Sequence, residues 1–233
     1  MATTIHAIAD LHLDSGGKPM DVFGERWENH QQQIFDRWRE RVAEGDLVLI
    51  PGDISWAMQL SSARAHFALI GQLPGEKLIL RGNHDYWWNS IGRVRDALPE
   101  GMFALQNDSF PFGEAVIAGS RGWMLPCEAQ SAEDEKIYQR ELIRLRMSLS
   151  DARRRHPSGQ LIVMMHYPPL AQDMQDTGFT QLMAEYGAHT CVYGHLHGAS
   201  LRGAVRGNVG GIEYMQVSSD GIGFCPQVVY LQA

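Results

Sequence analysis

Cysteine is scarce in this chain of 233 residues, with Cys127, Cys191 and Cys225 far apart and odd in number. No C-x-x-C occurs, which excludes a disulfide scaffold and a thiolate zinc cluster and leaves free thiols of a reducing compartment. Lysine is as rare: only Lys18, Lys77 and Lys136 stand among 20 cationic residues, and 27 acidic residues bring the formal net charge to −7. That balance argues against a nucleic-acid coat and against an anionic membrane surface. No apolar run reaches the roughly 20 residues that span a bilayer. The start, Met1-Ala2-Thr3-Thr4-Ile5-His6, lacks the basic stretch and apolar core of a secretory leader. A cytoplasmic protein without a membrane partner is therefore expected. Low-complexity tracts, internal repeats and Pro/Gly/Ser linkers are missing too, so 1–233 reads as a single domain.

What is present is an alternation of short apolar runs and helical stretches. Thr4–Ala9, Leu47–Ile50, Lys77–Leu80, Ala115–Ala118, Leu161–Met165 and Thr190–Tyr193 read as strands. Trp27–Ala43, Ser61–Leu73 and Asn89–Leu98 read as helices, the last capped by Asn89. A fourth, longer helix follows Ser131, whose pairing with Asp134 resembles a capping box. It carries Tyr138, Leu142, Leu145, Leu149 and Ala152 at helical spacing, and charge elsewhere. This helical insertion, around 127–157, is expected to be solvated on one side and able to cover a site. Gly207–Gly211 reads as a hairpin turn, and Ile212–Val217 with Gln227–Leu231 as β-hairpin material. Strands alternating with helices define the α/β class.

One regularity decides the reading. Separate strands end at Asp10, Asp53, Asn83, His166 and His195. In α/β sheets ligands bind outside the carboxyl ends of the strands, so these residues can converge on one edge. Carboxylate, imidazole and amide oxygen form a donor set for Mn, Fe, Zn or Co. Two such ions about 3.5–4 Å apart clamp the attacking and leaving oxygens of a phosphoryl transfer.

In order, the chain reads Asp10-Leu11-His12, Gly52-Asp53, Gly82-Asn83-His84-Asp85, His166 and Gly194-His195-Leu196-His197. This series resembles the calcineurin-like metallophosphoesterase superfamily, whose pattern is D-x-H, G-D, G-N-H-D/E, H and G-H-x-H. The resemblance spans nearly the whole chain and implies a four-layer α/β/β/α sandwich of two mixed sheets flanked by helices. It implies two divalent metal ions, one taken by Asp10, His12, Asp53 and His197, the other by Asp53, Asn83, His166 and His195, with Asp53 bridging. His84 then faces substrate, oriented by Asp85, and Asn83 also contacts substrate. The implied reaction is hydrolysis of a phosphomonoester or phosphodiester by direct attack of a metal-bridging hydroxide, with His84 protonating the leaving alkoxide.

Among branches of that superfamily, the Arg-containing continuation of the second motif in Ser/Thr protein phosphatases is missing: here the segment is Gly52-Asp53-Ile54-Ser55-Trp56. A third-motif arginine, as in the lipid A-precursor hydrolases, is absent because His84 is retained. The remaining resemblance is to small bacterial-type phosphoesterases near the cyclic-nucleotide phosphodiesterase branch. The expected partner is a small phosphorylated substrate; the motifs leave the substrate's identity and the oligomeric state open. Two other readings are carried: a non-catalytic metal-binding scaffold on the same fold, and a nuclease, against which the net charge speaks. Arg121 is a candidate contact for substrate phosphate, against a structural ion pair. Trp56 and Tyr86-Trp87-Trp88 either pack under the loops or form a stacking wall. His6, His30, His66, His156 and His189 match no motif and read as ordinary histidines.

Overall fold

The computed structural model describes residues 3–14, 17, 20–128, 131–173 and 176–232. In chain order the elements are β1 (Thr4–Ala7), α1 (His30–Arg41), β2 (Leu47–Pro51), α2 (Leu60–Gly71), β3 (Glu76–Leu80), α3 (Ile91–Arg95), β4 (Met102–Ala104) and β5 (Phe110–Phe112). They continue with β6 (Ala115–Ser120), α4 (Ala132–Arg155), β7 (Gln160–Met165), α5 (Gly178–Glu185), β8 (Thr190–Tyr193), β9 (Gly207–Val209), β10 (Ile212–Gln216) and β11 (Gln227–Leu231).

These strands form two mixed sheets. The first has the order β11-β1-β2-β3-β4, the second β5-β6-β7-β8-β10-β9. Central neighbours run parallel and are buried on both faces, which is why they read as unbroken apolar runs. Three apolar layers result. Ile5, Leu47, Leu78, Ile117, Ile162 and Val192 fill the space between the sheets. Ile34, Trp38, Phe67 and Ile70 pack α1 and α2 onto the outer face of the first sheet. Leu145, Leu149, Phe179 and Met183 pack α4 and α5 onto that of the second. The architecture is the α/β fold of two mixed sheets flanked by helices.

Three expectations need correction. The stretches 212–217 and 227–231 do not pair with each other. Strand β10 lies parallel to β8, and β11 crosses to the first sheet, antiparallel to β1. The turn at Gly210-Gly211 does make a hairpin, between β9 and β10, with φ of 59° and 85°. Trp27 is not in α1: Asn29 at φ 52° breaks the helix off, and Trp27 sits in a 3-10 turn before it. The cap of α3 is Ser90, whose hydroxyl accepts the Arg93 N–H. Helix α4 begins as expected, with Ser131 Oγ accepting the Asp134 N–H at 3.1 Å. Its apolar face lies on the second sheet, making it an outer layer; residues 129 and 130 of the expected insertion lie outside the described residues. No described helix is long and apolar enough to cross a membrane.

Candidate metal centre

The carboxyl ends of β1, β2, β3, β7 and β8 open on one edge, where the two sheets meet. The chain turns there under constraint. Asp10, His12, Asp53 and His195 have φ of 59°, 44°, 52° and 71°, four of the seven described non-glycine residues in left-handed conformation. Such backbone costs roughly 1–3 kcal/mol per residue and gathers at functional sites. Hydrogen bonds between the turns hold it: Asp10 N–H donates to Gly52 O at 3.0 Å, and His12 N–H to Asp53 O at 2.9 Å.

The motif glycines are explained by close approach. A Cβ on Gly52, itself at φ 91°, would stand 2.6 Å from His166 Nδ1. One on Gly82 would fall on Asp53 Oδ1, and one on Gly194 on Asp10 Oδ2. Each glycine makes room for a candidate ligand contributed by another loop.

All seven residues named as ligands come together. Ligand atoms of Asp10, His12 and His197 lie within 4.8 Å of one another, as do those of Asp10, Asp53 and His166. Asp53 stands between the groups, its Oδ2 3.8 Å from His12 Nε2 and 3.6 Å from His166 Nε2. Asn83 Oδ1 is 2.6 Å from His166 Nε2 and 3.0 Å from His195 Nδ1, and those nitrogens are 3.3 Å apart.

This packing has a chemical consequence. His166 Nδ1 donates to Pro51 O at 3.0 Å, which turns the lone pair of Nε2 inward. That lone pair, Asn83 Oδ1 and His195 Nδ1 lie within 3.3 Å of one another, three donor atoms placed to share one cation. His197 Nε2 is buried without a hydrogen-bonding partner among the described residues, 3.3 Å from Asp10. The donors fit divalent ions of the Mn, Fe, Zn or Co type.

The charges agree. Burial pushes the imidazoles of His12 and His166 down, and burial with His166 brings His195 to about 3, so all three are neutral donors. Burial and the charge of Asp10 hold Asp53 well above the carboxylate range. For His197 burial acts downward, but Asp10 and Asp220 outweigh it and lift the imidazole to about 10.

Asp220 stands outside every motif of the sequence. Its Oδ1 accepts from His197 Nδ1 at 2.8 Å, and its Oδ2 accepts the Gly198 N–H at 2.8 Å. That bond aims Nε2 at the centre, the arrangement by which a carboxylate orients a metal-binding histidine. Asp220 lies four residues past the end of β10, in the 3-10 turn Ser219–Ile222, on the same edge as the strand-end donors. Asp220→Asn is expected to weaken metal binding at the Asp10/His12/His197 group roughly 10–100-fold. In the unaltered protein, loading is expected to displace the His197 proton, together with any that the raised Asp53 carboxyl holds, so affinity should rise with pH toward about 10. Calorimetry in buffers of different ionisation enthalpy reads the protons released.

Two assignments change. Asp85 does not orient His84. Its buried carboxylate accepts backbone N–H groups of Gly82 (2.7 Å), Asp53 (2.9 Å) and Ile54 (2.9 Å), with Trp87 Nε1 at 3.1 Å. It ties the second motif loop to the third. His84 instead has Nδ1 3.3 Å from the Tyr86 hydroxyl and donates its backbone N–H to Asp53 Oδ1 at 2.8 Å. Arg121 reaches this edge but is turned to the buried Glu141 (3.7 Å) and over the Trp123 ring (4.5 Å). Trp87 and Trp88 are core residues, whereas Trp56 lies against His12, rings stacked at 4.7 Å, and against His84. Tyr167, also unforeseen, lays its ring 4.1 Å from that of His195.

A two-sheet α/β sandwich with a buried Asp/His cluster at its strand ends defines a class of metal-centred domains. A calcineurin-like phosphoesterase family model matches residues 3–199, and the chain belongs to that family. No curated protein sequence matches it. Among solved structures, phosphopantetheinyl hydrolase PptH from Mycobacterium tuberculosis is similar with a TM-score of 0.56 at 16% identity, over 98% of this chain and 96% of that one. The protein of unknown function AQ665 from Aquifex aeolicus is similar with a TM-score of 0.52 at 13% identity, over 97% and 95%. At these identities the likeness is one of fold.

Proposed function

We propose that this chain is a dinuclear-metal-dependent phosphoesterase that hydrolyses a small phosphomonoester or phosphodiester. The observation that carries the reading is the convergence of Asp10, His12, Asp53, Asn83, His166, His195 and His197 on one point, with His84 beside them and outside the ligand set. Asp10, His12 and His197 would hold one ion, Asn83, His166 and His195 the other, and Asp53 both. Divalent ions bound there supply Lewis acidity to the phosphoryl oxygens and lower the pKa of water.

The chain's own residues do the rest. Asn83 presents its amide to the phosphoryl group. His84, as imidazolium, gives its proton to the leaving oxygen as the phosphorus–oxygen bond breaks, and takes one back from solvent. Its ring centroid lies 5.9 Å from that of His12, close enough to serve a group bound at the centre while standing outside the ligand set. Asp85 keeps the loops of Asp53 and Asn83 in register through the N–H groups of Gly82, Asp53, Ile54 and Trp87.

The test is hydrolysis of p-nitrophenyl phosphate beside bis-p-nitrophenyl phosphate, after chelation and readdition of Mn²⁺. Turnover that returns with the metal is expected. No turnover of either ester by metal-loaded protein would favour the scaffold reading. His84→Ala is expected to keep both metals and slow alkyl-ester hydrolysis roughly 10²–10⁴-fold. The loss should shrink for nitrophenyl esters, whose leaving group needs little protonation; equal losses for both would refute the acid role.

A further inference from the structure

Beside His84 lies a pocket of about 280 Å³ for which the hydrolysis itself has no use. Met20, Phe23, Trp27 and Trp56 form its walls, and His84 and His197 border it toward the centre. Its chemistry differs from that of the centre. Trp27 is buried and sets its ring edge against His197, centroids 5.5 Å apart. Trp56 is fixed by stacking on His12 and by a bond from its Nε1 to Met20 Sδ at 3.3 Å. Of its charged side chains, Asp220 is committed to His197 and the Gly198 N–H, and Arg26 stands 4.0 Å from Asp220 with more than half of its side chain exposed. The cluster of arginines lies elsewhere: Arg81, Arg121 and Arg144 are gathered about Glu141 at the ends of β3 and β6, and Arg26 on the rim is the arginine that lines this pocket. At the mouth Phe23 leaves 68% of its surface exposed, and its chain neighbour Val22 leaves 71%, an exposed apolar rim.

We infer that this pocket receives the leaving-group alcohol of the phosphoester, and that this alcohol is uncharged and carries an apolar or aromatic body. The inference rests on the phosphoesterase reading and deepens it. Its direction follows from His84. The oxygen that departs from phosphorus must depart toward the group that protonates it, and His84 is shared by the centre and the pocket. Whatever that oxygen is attached to then lies between Trp27 and Trp56. A flat or apolar body there buries surface against Trp56 and Phe23, while a polyol loses hydration along those apolar walls.

The experiment compares 2-phenylethyl phosphate with glycerol 3-phosphate on the Mn²⁺-loaded full chain. Both release a primary alkoxide, and the polyol is the better leaving group, so leaving-group acidity works against the expected result. The expected kcat/KM ratio favours the phenylethyl ester by roughly 10–100-fold, the scale of one apolar group accommodated or not. Phe23→Asp, a change at an exposed position, should bring that ratio down about tenfold by placing a carboxylate on the rim. Alone, 2-phenylethanol should inhibit glycerol phosphate hydrolysis competitively. A ratio near one, or a ratio that Phe23→Asp leaves untouched, would overturn the leaving-group assignment while leaving a phosphoesterase. Absence of turnover of every ester, the nitrophenyl esters included, would instead overturn the phosphoesterase reading, and the assignment with it.

Discussion

Asp53→Asn is expected to empty the centre of metal and to lower turnover by more than about 10⁴-fold, because it removes the carboxylate placed to serve both ions and with it the Lewis acidity and the water activation they supply. The fold should survive. Asn retains the oxygen that accepts the His84 N–H at 2.8 Å, and Asp53 is buried in a site where Asp10 already brings a negative charge. Without metal, that burial and Asp10 hold the Asp53 carboxyl above its unfolded value. The folded state therefore prefers the protonated form, and the unaltered metal-free protein loses stability as pH rises from the unfolded pKa through the raised folded one. The variant has no such loss, so its metal-free Tm at neutral pH should equal or exceed that of the unaltered chain. Metal should reverse the order. Saturation to about 100 times Kd stabilises the unaltered chain by about 2.7 kcal/mol, or roughly 5–10 °C for a domain of this size. The variant should show little shift. Metal content by atomic spectroscopy and Tm with and without Mn²⁺ check both halves, and full metal content with undiminished turnover would remove Asp53 from its bridging place.

Much of the centre was legible in the sequence because its donors sit where strands stop. An apolar run that ends in Asp, Asn or His announces both a strand and a ligand. Parallel sheets bring such endings to one edge whatever their separation along the chain. Position of the donors was therefore readable, and their partners were less so. Asp85 follows His84, and adjacency invites the view that one orients the other. The rotamer sends the carboxylate instead to the amides of Gly82, Asp53 and Ile54, a choice made by buried N–H groups that no local pattern records. Asp220 lies outside the five motifs and reaches His197 from across the turn after β10. Pairing between strands was likewise hidden: β11 is a short apolar run, and only the assembled first sheet shows that its partner is β1. Trp27 has the spacing of an α1 residue, and the left-handed Asn29 removes it from that helix to the wall of the pocket beside His84.

Gly82→Ala is expected to destroy the centre through a single methyl group. The added Cβ would fall on Asp53 Oδ1 and lie 2.8 Å from Asp53 Cγ, and neither side can yield freely. Asp53 is held at Oδ1 by the His84 N–H and through its own N–H by Asp85. Gly82 is held by the same Asp85, its N–H 2.7 Å from Oδ2. Relief of the clash must part the two loops that Asp85 joins and carry Asn83 and His84 away from Asp53. Overpacking of this kind costs about 1–3 kcal/mol of stability, which the fold should tolerate. The metal pair should not, because ligand placement fails well before the fold does, and turnover should fall more than about 10³-fold. Gly92→Ala is the matched control. Gly92 lies in α3, and a Cβ added there would meet none of the described residues within 4 Å, so the same methyl should be neutral or stabilise the helix by up to about 1 kcal/mol, with metal content and turnover unchanged. Were Gly82→Ala to bind both ions and turn over like the unaltered chain, the close approach of Gly82 to Asp53 would not be what sets the geometry of the centre, and the glycine of the third motif would need another explanation.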